Sequence, residues 1–385
     1  MTYNPFNPET IADPFSEYRN LRTETPVYRS EEHGFWVVSR YDDVTRVLRD
    51  HENFSSTAGV GTEWRAVPMM ISVDPPEHTH LRRMAQREFT PRAINAWEPR
   101  VSELVDGLLD AFVGNGGGDV VPNLAYPIPI GVIADMLGVP FEDREDFKRW
   151  SDDTIDALGG GLDPETSLRV ETSVFEFAQY FMDAITKRRD SPGDDLLSML
   201  IDPANGETLS NNDLVSFAIL LLVAGNETTT NLIGNLVLAL AMNPDQWNVL
   251  KADPTLVPAA IEEALRFDSP IQGFFRNTLK ATEVRGVTIP AEQKVMVLYG
   301  SANRDERKYP DPDRFLVQRN PLDHVAFGSG IHLCLGAPLA RMEGALFLKG
   351  LLSRVASIEL DGDVIRTNNP LLRGVSHLPV RFVAR

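Results

Sequence analysis

Residues 324–341 read HVAFGSGIHLCLGAPLAR. The stretch holds Cys334, the one cysteine among 385 residues. Gly328 and Gly330 precede it and Gly336 follows it. Such residues permit backbone conformations barred to others and leave room for a flat group to approach. From Ala337 to Val355 the apolar residues recur at helical spacing, so the sulfur lies just before a helix N-terminus. Exposed N–H groups and the helix dipole there favour a thiolate. Two readings fit these residues: a small buried apolar side chain, or a thiolate held rigidly for chemistry.

The rest of the composition narrows the field. Thirty-seven Lys and Arg against 55 Asp and Glu give a formal charge of −18. A surface that acidic repels nucleic acid and anionic membranes. One cysteine forms no internal disulfide, which suits a reducing, cytoplasmic setting. The first twenty residues have neither the basic start nor the apolar run of a signal peptide. No uninterrupted apolar stretch reaches the length that spans a bilayer.

Strand patterns sit near the two ends. PVYRSEEHGFWVVSR, 26–40, predicts two strands joined by a turn at Glu31–Gly34. RGVTIPAEQKVMVLYGS, 285–301, predicts two more, and LLRGVSHLPVRFV, 371–383, a closing hairpin. The middle is helical. Asp74, Pro75, Pro76 and Glu77 predict an aspartate-capped helix running to about Phe89. Thr90-Pro91 predicts another, ending near Gly114–Gly118. Ser210 and Asp213 form a capping box for a helix continuing to about Asn243. With no repeat and no low-complexity linker, the fold class is mainly α with small sheets (α+β), one domain over 1–385.

Within the long helix, LVSFAILLLVAGNETTTNLIGNLVLALAM, 214–242, is apolar on all sides except at Gly225–Asn231. Glycine and clustered threonines are poor helix formers, and a buried carboxylate without partners is costly. One reading is a kink whose hydroxyls bond back to the preceding turn. The other is a local opening of the helix over a ligand, with Glu227 and Thr228 handling protons or water.

For Cys334, no second cysteine and no paired-histidine spacing offers a zinc site, and no obvious base stands near to make it an acyl-transfer nucleophile. A single thiolate suits axial ligation of haem iron. FGSGIHLCLG, 327–336, then resembles the haem-binding loop of the cytochromes P450, the haem-thiolate monooxygenases, at every fixed position. That resemblance implies Cys334 as the iron ligand and His332 as a partner of a haem propionate. EALR, 263–266, matches the family's Glu-x-x-Arg helix motif; the i,i+3 spacing lets Glu263 and Arg266 pair. PDPDRF supplies Arg314 as the implied third member, with Asp313 where glutamate is common. AGNETT, 224–229, matches the oxygen-activation motif, giving Glu227 and Thr228 the supply of protons that lets one oxygen atom leave as water. HTHLR, 78–82, places His78 and Arg82 on one helix face, and these, with Arg276, are implied propionate partners.

The resemblance covers essentially the whole chain. It implies the cytochrome P450 fold, a helical bundle with a long central helix, binding haem b. The implied reaction inserts one atom of O2 into a hydrophobic small organic substrate by hydroxylation, with O-dealkylation or epoxidation as variants. Electrons would come from NAD(P)H through a ferredoxin reductase and a ferredoxin, or from a flavodoxin. Arg83 and Arg87 share a helix face and lie near Arg92, a local basic patch where an acidic donor would dock; ordinary surface solvation explains them equally well. The implied pocket draws on 67–71, 160–168, 217–224, 271–275 and 371–375, with Met70, Ala224, Phe274 and Leu372 as lining and Arg65 or Ser72 at a polar end. The expectation is a monomer. The alternatives are an H2O2-driven peroxygenase and a non-catalytic haem-binding protein.

Overall fold

A helix of 32 residues, Asn211–Met242, runs through the molecule for about 48 Å. Ser210 caps it: its hydroxyl accepts from the Asp213 N–H at 3.1 Å. The computed structural model describes residues 3–62, 69–159, 163–202 and 209–385. Nearly every side chain from Thr229 to Leu240 is buried, as an all-apolar helix requires. Helices Pro127–Met136, Arg144–Gly159, Pro164–Asp190, Val257–Phe267 and Ala337–Arg354 pack around it. Among the described residues, no helix is long and apolar enough to cross a membrane.

The strands gather into small sheets at the side of this bundle. The largest runs in the order Val27–Ser30, Phe35–Val38, Lys294–Leu298, Gly273–Thr278, Phe54–Ser55. Its only parallel pair is Phe35–Val38 with Lys294–Leu298; the other three pairs are antiparallel. The turn at Glu31–Gly34 is where the sequence places it, with Gly34 at φ +71°.

The helix expected from Thr90-Pro91 to Gly114–Gly118 is two helices, Pro91–Asn95 and Glu98–Gly114. Three other local expectations change. Val375–His377 and Pro379–Ala384 form no hairpin with each other. The first pairs with Ile365–Arg366, and the second lies between Gly117–Asp119 and Val355–Leu360. One intervening residue, Leu378, is too short a connection for a hairpin. Asp74 does not cap its helix, which starts at Glu77; its carboxylate accepts from the Ser56 N–H at 3.2 Å instead. The third concerns Gly225. The central helix is continuous across 224–231. A Cβ on Gly225 would stand 2.3 Å from Ile133 Cδ1, so the glycine allows close packing of helix Pro127–Met136 rather than an opening.

Candidate active site

The cysteine loop is set by its backbone. The Cys334 N–H donates to the Phe327 carbonyl at 2.9 Å, and a 3₁₀ turn, Gly330–His332, lies between them. Gly328 and Gly330 adopt φ +72° and +76°, a region that favours glycine. At Gly330 a Cβ would also lie 2.5 Å from the Leu48 carbonyl oxygen. Gly336 differs from the expectation: its φ is −79°, so any residue tolerates its conformation. A Cβ there would stand 4.0 Å from the Cys334 sulfur, an ordinary contact, so neither conformation nor space requires glycine at this position. Cys334 is accessible to a water-sized probe although protein closely surrounds its thiol, the situation of a side chain on the wall of a recess. Burial pushes the thiol up. The N–H groups of Gly336 and Ala337 and the charges of Arg82 and Arg341 act the other way.

Four predicted cationic or imidazole side chains meet beside this loop. The rings of His78 and His332 pack edge to face with centroids 4.4 Å apart. Arg276 is buried on strand Gly273–Thr278, one guanidinium N–H donating to the adjacent Phe275 carbonyl at 2.8 Å. Burial first, then the positive field of Arg276, His78 and Arg82, holds His332 down at about 2. Burial and Arg82 lower His78 in turn, with Asp74 opposing. The Nε2 atoms of both histidines are buried without a hydrogen-bond partner among the described residues. A cationic cluster with orphaned donors is costly unless an anion joins it. The two carboxylates of haem, beside a sulfur available to its iron, fit these residues.

The Glu-x-x-Arg motif is a fully buried fork. Arg266 donates from Nε to Glu263 Oε2 at 2.7 Å and from a terminal nitrogen to Oε1 at 2.8 Å, and both side chains are inaccessible to solvent. The third member is Arg319, not Arg314. Arg319 Nε donates to Glu263 Oε1 at 3.2 Å, and its terminal nitrogens donate to the carbonyls of Pro310, Asp311 and Arg314. The Arg314 side chain is 65% exposed and faces the surface carboxylate of Asp311, at 4.0 Å. It is the Arg314 carbonyl that faces inward, accepting from Arg266 at 3.2 Å. A tight turn, with the Arg319 N–H on the Leu316 carbonyl at 2.9 Å, brings the later arginine back to the carboxylate.

On the central helix, Thr228 Oγ1 donates to the Ala224 carbonyl at 2.7 Å. That is the back-bonded arrangement, with the helix uninterrupted. Asn231 Nδ2 donates to Glu227 Oε1 at 3.1 Å. Leu220, Val223, Ala224, Glu227 and Thr228 stay accessible, while Ile219, Leu221, Leu222, Asn226 and Thr229 between and beside them are buried. Spaced at i, i+3, i+4, i+7 and i+8, they form one face. The other polar residues of the break are structural: Asn226 is buried and donates to Ser151 Oγ at 2.8 Å.

Of the pocket candidates, Ala224 lies on that accessible face and Met70 is partly accessible. Leu372 is buried. Phe274 is partly buried, its ring against Tyr299 at 6.0 Å. Ser72 is buried, its hydroxyl bonded to the Met69 carbonyl at 3.1 Å. Arg65, Val67 and 160–162 lie outside the described residues. Arg83, Arg87 and Arg92 are exposed.

With this geometry in place, the comparisons agree. The family described as Cytochrome P450 matches residues 252–380. Cytochrome P450 monooxygenase PikC of Streptomyces venezuelae is 38% identical, with 96% of this chain and 91% of that one covered. The chain superposes on cytochrome P450 CYP109Q5 from Chondromyces apiculatus with a TM-score of 0.91 at 39% identity, covering 100% of this chain and 99% of that one. CYP109E1 from Bacillus megaterium, solved in complex with testosterone, matches with a TM-score of 0.88 at 36% identity, covering 96% of this chain and 99% of that one. The chain belongs to the cytochrome P450 family. As a cytochrome P450 monooxygenase it uses haem as its cofactor and depends on a redox partner.

The sequence reading passed over one titratable group of this cytochrome P450. Glu343, on the helix behind Cys334, is buried, with Oε2 unpartnered among the described residues. Burial pushes its carboxyl up to about 8 from the ordinary 4.5. Between those two values the unfolded chain releases a proton that the folded chain keeps. The contribution of Glu343 to stability therefore falls as pH rises through that window and is constant outside it. Glu343→Gln is expected to abolish this slope and to gain on the order of a few kcal/mol at pH 8 relative to pH 5. Urea unfolding at the two pH values measures it.

Proposed function

We propose that this cytochrome P450 hydroxylates a hydrophobic organic molecule of about steroid size, with haem b seated on Cys334, in the cytoplasm. One observation carries the reading: an accessible cysteine sulfur beside the guanidinium groups of Arg82 and Arg276 and the buried, unpartnered Nε2 atoms of His78 and His332. Arg82 and Arg276 would bind the propionates as charged donors, and His78 and His332 would turn their orphaned Nε2 atoms to the same carboxylates. Bound haem supplies the activation of O2 and the insertion of one oxygen atom into the substrate.

The chain's own contribution to the reaction lies on the central helix. The Thr228 hydroxyl spends its proton on the Ala224 carbonyl, so its lone pairs are left to accept from an ordered water. The partly accessible Glu227 would pass protons inward from solvent, its carboxylate oriented by Asn231. Leu220, Val223 and Ala224 make the same face apolar, which excludes bulk water and suits a lipophilic ligand. The testosterone held by CYP109E1 supports that size class. Such an acid–alcohol pair favours the O2-dependent reaction over the peroxide-driven alternative, because cleaving O2 consumes protons. Arg83, Arg87 and Arg92 would receive an acidic ferredoxin or flavodoxin carrying electrons from NAD(P)H.

Thr228→Ala tests the relay. The variant is expected to keep its spectra and its substrate-induced spin shift. Product formed per NADH consumed should drop at least roughly tenfold, with peroxide making up the difference. An unchanged yield would exclude Thr228 from proton handling. A screen of steroids by spin-state shift tests the substrate class, and no shift with any of them would remove it.

A further inference from the structure

Glu262 and Glu263 are consecutive and both buried on helix Val257–Phe267. Successive helical positions diverge by roughly 100°, so the two carboxylates leave in different directions. Glu263 takes the Arg266–Arg319 fork already described. Glu262 turns to the cysteine segment. Arg341 donates to it from Nε at 2.6 Å and from a terminal nitrogen at 2.9 Å, one bond to each carboxylate oxygen. The His324 imidazole completes the group, with Nε2 3.1 Å from Glu262 Oε2. The Ala326 N–H donates to His324 Nδ1 at 3.1 Å, so Nε2 carries the proton and points it at the carboxylate.

These contacts close on the sulfur from both sides. His324 and Ala326 lie upstream of Cys334 and Arg341 downstream. The Arg341 guanidinium also lies over the Phe327 ring, 4.6 Å from its centroid. Phe327 is the residue whose carbonyl accepts the Cys334 N–H. Glu262 thus ties the start of the loop, at His324, and the helix after it, at Arg341, to one carboxylate. A buried ionic group seldom adds stability over an apolar replacement, and its better-attested use is to fix one arrangement. Arg341 supplies a planar fork that lysine lacks.

We propose that Glu262, Arg341 and His324 are positioning residues that set where the Cys334 sulfur stands, independently of the Glu263–Arg266–Arg319 fork. The inference rests on the reading of Cys334 as the haem ligand.

The test uses the haem-loaded full chain as Glu262→Gln, Arg341→Lys and, as a control on the same helix, Arg354→Lys, whose arginine pairs with Asp106 and Asp110 far along the chain. Three quantities are measured: affinity for haem, the share of the reduced CO complex bearing the thiolate signature, and the melting temperature of the haem-free chain. Glu262→Gln and Arg341→Lys are expected to bind haem roughly ten- to a hundredfold more weakly, the usual effect of losing a partner behind a metal ligand. They should also lose part of the thiolate signature, while Arg354→Lys matches the parent. If both variants keep the parent's signature and affinity, the positioning role is wrong. It is equally wrong if only the haem-free melting temperature moves, since that marks a purely structural pair. A parent protein without any thiolate signature would instead overturn the assignment of Cys334 itself.

Discussion

Replacing Cys334 by alanine is expected to leave a folded chain that has lost its thiolate signature. The side chain is accessible, and the loop is held by a backbone bond, 334 N–H to the Phe327 carbonyl, that alanine also makes. Stability of the haem-free chain should therefore move by no more than about 0.5 kcal/mol. The chemical effect is far larger. Without a thiolate pushing electron density toward the iron, O–O cleavage loses its driving influence. Turnover should fall by at least roughly a thousandfold, about 4 kcal/mol of barrier. The cationic group of His78, Arg82, Arg276 and His332 remains, so haem itself should still bind, more weakly. The reduced CO spectrum separates the possibilities: a parent-like thiolate band in the alanine protein would mean that another residue holds the iron.

Much of this site was legible in the sequence because its residues are chemically unusual where they stand. A lone cysteine among glycines, a carboxylate inside an apolar helix, and Glu263 one turn from Arg266 each admit a plain reading alone, and together they point to one site. Some of the elements carrying them were legible too: Ser210 announces the central helix, and Thr90-Pro91 opens a helix, although Pro91–Asn95 and Glu98–Gly114 are two helices where the sequence reads as one. The misses arose where tertiary contact overrides local pattern. Gly225 reads as a break, yet Ile133 demands it for close approach. The strand near residue 376 reads as half of a hairpin, yet it finds Ile365–Arg366. Glu262, His324 and Arg341 went unread because each alone resembles an ordinary charged residue. The signal available was the doubled glutamate, Glu262-Glu263, in a helix rich in apolar residues: two adjacent buried acids point in different directions and need two sets of partners.

Arginine 314 shows the same limit and yields the sharpest stability contrast. Counting along the chain selects Arg314 because it sits inside PDPDRF, whereas the fold uses its carbonyl and turns its side chain to solvent. Arg314→Ala should thus change stability by no more than about 0.5 kcal/mol. Arg319→Ala removes the donor to Glu263 and the anchors on the carbonyls of Pro310 and Asp311. It should be clearly destabilising, by roughly 2 kcal/mol or more. The largest loss belongs to Glu263→Ala. Arg266 would then keep a fully buried charge with no carboxylate to pair it, and the Leu316 N–H would lose its acceptor at 2.9 Å. Breaking one side of such a pair costs about 3–5 kcal/mol. Urea midpoints of the three haem-free variants, at constant slope, give the ranking. The expected order is Arg314 least, Arg319 next and Glu263 most. A midpoint for Arg314→Ala below that of Arg319→Ala would return the third place in the fork to Arg314.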